Sequence, residues 1–268
     1  MEASMHSEPG IREQIVEIGR RLYANKFIAA RDGNISARLG EFLYFTPTGM
    51  CKGFLKTEDI VKTDLGGKKV EGIRNPSSEA LMHLEIYRLR PDVYAVVHAH
   101  PPHATGYAVA GMALDKALLP EVILTMGRIP LAEYSTPTTE EVARAIRDLV
   151  PYHDALLLSN HGAVAYGEDL ESAYFKMETL EHFALISIVA KILGRERVLS
   201  EDAVKRLYAT QGRSEYQGGT SETRTLRTSG CPIPAEALES PSEETLTLTK
   251  SELFQVIDEI VSRVRRQS

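Results

Sequence analysis

The chain has 268 residues, 43% of them apolar, which is enough for one large domain or two small ones with a full core. Its 37 carboxylates outnumber 31 Lys and Arg, and no basic cluster is interleaved with aromatics, so a nucleic-acid partner is excluded. Cys51 and Cys231 stand far apart in no ligand or redox spacing, and there is neither a basic-then-apolar leader nor an apolar run near the ~20 residues that span a bilayer, so the expectation is a cytoplasmic protein without disulfides or membrane contact.

In chain order, Ile11, Ile15, Ile18, Leu22 and Tyr23 recur at helical spacing and predict an amphipathic helix over residues 10–28. Strands follow at 35–39 and 42–46, and Asp64-Leu65-Gly66-Gly67-Lys68 reads as a hairpin turn. Pro76-Ser77-Ser78-Glu79 opens a helix to about Arg90, with Glu79 one turn inside it, and Pro91-Asp92 ends it before a strand through Ala95-Val96-Val97-His98-Ala99-His100. A second apolar run, Ala155-Leu156-Leu157-Leu158, leads to Ser159-Asn160-His161-Gly162. Helices are predicted over 139–150, 169–193 and 200–211, the second apolar around much of its circumference and so expected inside the protein or between subunits. Residues 212–248, rich in Gly, Ser, Thr, Pro and Glu, read as a flexible linker after a domain of residues 1–211. Over residues 249–268, a capping box of Thr249 and Glu252 precedes a stripe of Leu253, Phe254, Val256, Ile257, Ile260, Val261 and Val264, the pattern of a docking helix.

Alternation along a strand points His98 and His100 to one face, and His161 closes the second apolar run. Three imidazoles suit a zinc ion with one exchangeable position. Gly162 would let the backbone turn tightly and aim His161 inward. Glu79 is the accompanying carboxylate, whereas His83, one turn later, reads as a decoy and His103 as a helix start or an outer partner. His6, His153 and His182 have no constellation around them. Three polar, glycine-bearing segments, Gly33-Asn34-Ile35-Ser36, Thr46-Pro47-Thr48-Gly49 and Ser77-Ser78, have the hydroxyls, amide and free N–H groups that hold a phosphate. Arg31, Lys52 and Lys56 are expected at the surface.

Taken together, Gly33-Asn34-Ile35-Ser36, Thr46-Pro47-Thr48-Gly49, Pro76-Ser77-Ser78-Glu79, Val97-His98-Ala99-His100 and Asn160-His161-Gly162 resemble, in order and spacing, the class II aldolase/adducin family over roughly residues 10–212. The resemblance implies an α/β fold, three-layer α/β/α with a central mainly antiparallel sheet, in a homotetramer. It also implies Zn2+ held by His98, His100 and His161, Glu79 as fourth ligand or acid/base, and phosphate held by Gly33, Asn34, Thr48, Gly49, Ser77 and Ser78. The implied substrate is a sugar phosphate. Glu79, where the epimerase branch carries Asp, favours an aldolase cleaving L-fuculose 1-phosphate or L-rhamnulose 1-phosphate to dihydroxyacetone phosphate and L-lactaldehyde. L-ribulose-5-phosphate 4-epimerase, methylthioribulose-1-phosphate dehydratase with Glu121 as an added base, and an adducin-like scaffold are the alternatives. The family aldolase's two tyrosines have no counterpart at Val122-Ile123-Leu124 or Thr210-Gln211, leaving Tyr134, Tyr208 and Tyr216 as substitutes. The segment 249–268 resembles encapsulation peptides that bind bacterial microcompartment shell proteins.

Overall fold

The computed structural model describes residues 7–211; the sequence-read linker, the 249–268 segment, His6 and Tyr216 lie outside the described residues. Helix α1, Glu8–Ala24, starts where the Ser7 hydroxyl accepts from the Gly10 N–H, and it buries the Ile11, Ile15, Ile18 and Leu22 stripe. Strands β1, Asn34–Leu39, and β2, Phe42–Phe45, form an antiparallel hairpin. A second hairpin joins β3, Val61–Asp64, to β4, Lys69–Glu71, across the expected turn, where Gly66 and Lys68 N–H groups donate to the Asp64 carboxylate. Then come α2, Ala80–Leu89; β5, Ala95–Ala99; α3, Pro102–Val109; α4, Pro120–Thr125; and β6, Leu131–Ala132. The described chain closes with α5, Glu140–Ile146; β7, Ala155–Leu158; β8, Gly162–Gly167; α6, Leu170–Ile192; and α7, Glu201–Thr210.

The eight strands form one sheet in the order β4-β3-β2-β1-β5-β8-β7-β6, antiparallel except for the β6–β7 pair. Strand alternation divides the core into two layers. Ile35, Ala37, Ala95, Val97 and Ala163 face α1, α3 and α6 on one side, while Leu43, Phe45, Val96, Val164 and Tyr166 pack with α2 and α5 on the other. The α/β/α arrangement expected from the sequence is therefore present. Buried Arg90 ties the end of α2 to the strand layer through the carboxylates of Asp92 and Asp154 and the carbonyls of Val150 and His153. Among the described residues no helix is long and apolar enough to cross a membrane.

Three features depart from the sequence reading. Glu79 occupies the N-cap of α2 rather than its first turn. Strand β8 is built from small residues, Gly162-Ala163-Val164-Ala165-Tyr166-Gly167, whose weak alternation does not announce a strand, yet it lies in the middle of the sheet between β5 and β7. The short helices α3 and α4 begin at prolines and run only eight and six residues, too few to show a helical period.

One close approach shapes the site. A 3-10 turn, Lys52–Phe54, sits directly on α1, and any side chain at Gly19 would meet the Lys52 carbonyl. The glycine lets the turn descend far enough to bury Lys52. Gly19→Ala should therefore cost about 1–3 kcal/mol of unfolding free energy, measured by urea titration; an unchanged midpoint would mean the contact has slack.

Candidate metal centre

The β1–β5 register places Asn34 directly beside His98, and Val164 of β8 lies on the other side of His98. His98 is fully buried, on the α2 side of the sheet. His100 follows just beyond the end of β5, where its N–H donates to the Phe27 carbonyl at 2.8 Å. His161 stands in the β7–β8 turn, after Asn160 in the left-handed region at φ 56°. The positive φ thus falls on Asn160 and not on Gly162, correcting the role expected for the glycine. A Cβ at Gly162 would come within 2.5 Å of the His100 ring and 2.6 Å of the Ala99 carbonyl oxygen, so glycine is needed to let the turn lie against the histidine pair.

The ligand nitrogens of His98, His100 and His161 all lie within 4.8 Å of one another. His98 Nε2 and His100 Nε2 are 3.2 Å apart, and Glu79 brings Oε2 to 3.3 Å from His98 Nε2 and Oε1 to 3.2 Å from His161 Nε2. Four ligands around one tetrahedral ion at 2.0–2.1 Å would be separated by about 3.3–3.4 Å. The tautomer of His98 sharpens the point. Its Nδ1 lies 2.9 Å from the Ala163 carbonyl oxygen, which only accepts, so Nδ1 carries the proton and Nε2 is a bare lone pair facing a carboxylate. Two acceptors at that distance call for a cation between them. The donor set therefore fits a divalent ion held by His98, His100 and His161, with the Glu79 carboxylate against two of them.

Electrostatics agree. Burial pushes the His98 imidazole down to about 3 against the upward pull of Glu79, with His100 and His161 adding to the fall, so it is neutral and ready to ligate. Burial also lowers His100. Burial would raise Glu79, but His161 beside it and the Asn34 amide, which donates to it at 2.6 Å, hold the carboxyl below the usual range, so it is ionised. Although Glu79 is the N-cap of α2, its side chain makes no capping bond to the helix and turns to the histidines instead.

Next to the four donors opens a cavity of about 240 Å³. It is lined by Gly33, Asn34, Thr48, Gly49, Ser77 and Ser78, all six residues read as a phosphate site, together with Glu79, His100 and His161. A Pro47–Pro76 bridge, with Ser77 N–H donating to the Thr46 carbonyl, brings the two loops to one wall. Lys52 also lines the cavity and is only 3% exposed, contrary to the surface placement expected; its Nζ donates to the Arg31 carbonyl at 2.6 Å. Sequence offers no signal for this burial, which depends on Gly19 more than thirty residues earlier. Arg31 lines the same cavity but is exposed, and Lys56 is exposed as expected.

Other candidates are placed elsewhere. His103 begins α3, where Glu181 accepts from its N–H and its ring. His153 faces the Arg128 carbonyl, and His182 is exposed. Glu121 and Tyr134 are exposed and do not line the cavity, and the Tyr208 hydroxyl donates to the Ile123 carbonyl beneath α4. His83 is not among the clustered ligands, but it is fully buried and bonded to Asn34.

Residues 13–188 match the Class II Aldolase and Adducin N-terminal domain. An L-fuculose phosphate aldolase of Methanococcus maripaludis is 36% identical over 179 residues, covering 66% of this chain and 95% of the relative. A 3-oxo-tetronate 4-phosphate decarboxylase of Pectobacterium atrosepticum is 32% identical over 213 residues, covering 77% of this chain and 96% of the relative. Among solved structures, an L-fuculose 1-phosphate aldolase is similar with a TM-score of 0.70 and 31% identity, covering 75% of this chain and 96% of its own. The chain therefore belongs to the class II aldolase and adducin N-terminal domain family, as an enzyme of its class II aldolase branch.

Proposed function

We propose that this protein is a zinc-dependent aldolase that cleaves a ketose 1-phosphate, L-fuculose 1-phosphate or L-rhamnulose 1-phosphate, to dihydroxyacetone phosphate and L-lactaldehyde. The observation that carries this reading is the three-histidine cluster with Glu79 against it, beside a polar cavity that holds a buried lysine. Thr48, Gly49, Ser77 and Ser78 offer hydroxyls and N–H groups to the phosphate beside the N-terminus of α2, and Lys52 supplies the charge that these neutral groups lack. When bound, the ion supplies Lewis-acid stabilisation of charge on the substrate's carbonyl and hydroxyl oxygens, so no Schiff-base lysine is required.

Glu79 stands against His98 and His161, so with an ion held by the histidines its ionised carboxylate would lie beside the bound substrate and could give or take a proton at the carbon next to the carbonyl. On cleavage between C3 and C4 the C4 hydroxyl loses its proton as the aldehyde carbonyl forms and the electron pair of the broken bond stays with the dihydroxyacetone phosphate half; the Glu79 carboxylate takes up a proton and delivers it to C3. In the reverse direction it takes that proton away.

A second reading, loss of carbon dioxide from a phosphorylated 3-oxo acid, is favoured by one feature, because buried Lys52 beside Glu79 and His100 would also suit a substrate carboxylate. Both reactions leave an electron pair next to a carbonyl, so the same centre serves either. The reading extends to assembly: we propose a homotetramer, a domain of residues 1–211, a linker over 212–248, and capture of residues 249–268 by a microcompartment shell. Fused to a fluorescent protein, residues 249–268 should form foci in cells that make such shells, and diffuse fluorescence would oppose capture.

Metal-loaded protein should release dihydroxyacetone phosphate from one of the two ketose 1-phosphates. Glu79→Gln should retain bound metal and lose exchange of the dihydroxyacetone phosphate C3 proton with solvent. Release of carbon dioxide from a 3-oxo acid phosphate, with no cleavage of either sugar, would favour the second reading. Lys52→Met should raise KM for the sugar phosphate about tenfold or more, the value of a charge-assisted hydrogen bond, with little change in kcat; a fall in kcat at constant KM would place Lys52 at the reacting carbon instead.

A further inference from the structure

Beneath the metal centre runs a chain of buried polar groups that the proposed reaction leaves unused. Helix α2 carries Glu79 at its N-cap and His83 one turn later, and strand β1 presents Asn34 and Ser36 to them two residues apart on one face of the sheet. The two periods align. Glu79 Oε2 lies 2.6 Å from Asn34 Nδ2, Asn34 Oδ1 meets His83 Nε2, His83 Nδ1 lies 2.7 Å from Ser36 Oγ, and Ser36 Oγ lies 2.8 Å from the Tyr87 hydroxyl. His83 and Ser36 are fully buried, Asn34 is 2% exposed and Tyr87 7%.

Donor and acceptor roles follow from one end. The Glu79 carboxylate only accepts, so the Asn34 atom facing it is the amide nitrogen, and the amide oxygen faces His83. His83 Nε2 must then carry a proton. Burial holds the imidazole down to about 4 despite the Glu79 charge, so the ring is neutral and its Nδ1 is bare. Ser36 donates to Nδ1, and Tyr87 donates to Ser36. Every donor in the chain points toward the carboxylate. Reversing the Asn34 amide would set a carbonyl against Glu79 and an NH2 group against the N–H of His83.

We propose that His83 is a positioning residue, which fixes the Asn34 amide and through it the orientation of the Glu79 carboxylate against the three histidines. The inference rests on the reading that Glu79 transfers the substrate proton. A histidine that the sequence presents as a bystander thereby governs the group at the reacting carbon without touching substrate or metal. Gln can replace the Nε2–H donor with its own amide N–H, whereas Leu fills the space and leaves Asn34 Oδ1 buried and unpaired.

The test compares His83→Gln and His83→Leu in the full-length, zinc-loaded protein, reading bound zinc, KM for dihydroxyacetone phosphate, and solvent deuterium exchange at its C3. His83→Leu should keep its zinc and its KM while exchange falls about tenfold or more, the usual size of an outer-partner effect at a metal centre; His83→Gln should recover most of the rate. Exchange at the wild-type rate in His83→Leu, or equal impairment of the two variants, would overturn the proposal. Should the Leu variant fail to fold, His83→Asn, too short to reach Asn34, takes its place with the same two outcomes. Nitrogen NMR of histidine-labelled wild-type protein reads the chain without turnover. A proton on His83 Nε2 from about pH 6 to 9 is expected, and a proton on Nδ1 would overturn the assignment. If wild-type protein shows no exchange, the aldolase reading fails while the NMR result still judges the hydrogen-bond chain.

Discussion

Everything at this site depends on a pair of acceptors turned toward each other in the protein interior. The Ala163 carbonyl takes the Nδ1 proton of His98, which leaves Nε2 as a lone pair 3.3 Å from an ionised Glu79. Uncompensated, that arrangement repels, and burial away from water magnifies the cost. His100 and His161 bring their own ring nitrogens to the same point. A divalent cation there would turn the facing lone pairs of His98 and Glu79 from a repulsion into two attractions. The sheet supplies the rigidity that holds such a cluster together, since His98 is within β5 and both neighbouring strands are paired along its length.

Around this centre the fold assigns separate tasks to its two layers. On the α2 side, Ser36, His83, Asn34 and Glu79 form a polar column through an otherwise apolar interface with Phe45, Met82 and Val96. On the α1 side, Gly19 admits the turn that sends Lys52 beneath the cavity. The proposed metal ligands and proton donor thus sit within or just beyond the ends of strands and at a helix start, and the proposed anion-binding groups sit in loops joined by the Pro47–Pro76 bridge.

Much of this is legible in the sequence. His-x-His at a strand end, a third histidine after a second apolar run, and the hydroxyl-rich loops each announce their chemistry locally, and the structure brings His98, His100 and His161 to one point and the loops to one wall. The hidden parts are those whose meaning depends on distant partners. Lys52 looks like any surface lysine until Gly19 is seen beneath it. Gly162 looks like a turn residue, yet it serves the ring of His100 across the sheet, and the turn's strain sits on Asn160. His83 looks idle because its role passes through Asn34, whose place beside His98 is set by strand register rather than by spacing in the chain. Strand β8 is hidden in the sequence because alanines and glycines carry too little hydrophobic contrast to show a period.

The most direct measurement of the central claim is metal content per chain after exhaustive chelation and reloading with Zn2+, for the wild type and a His98→Ala, His100→Ala, His161→Ala triple variant. The account predicts one tightly held ion per wild-type chain, with cleavage activity lost on stripping and restored on reloading, and none in the variant. Equal metal in both proteins, or full activity in stripped wild type, would contradict it.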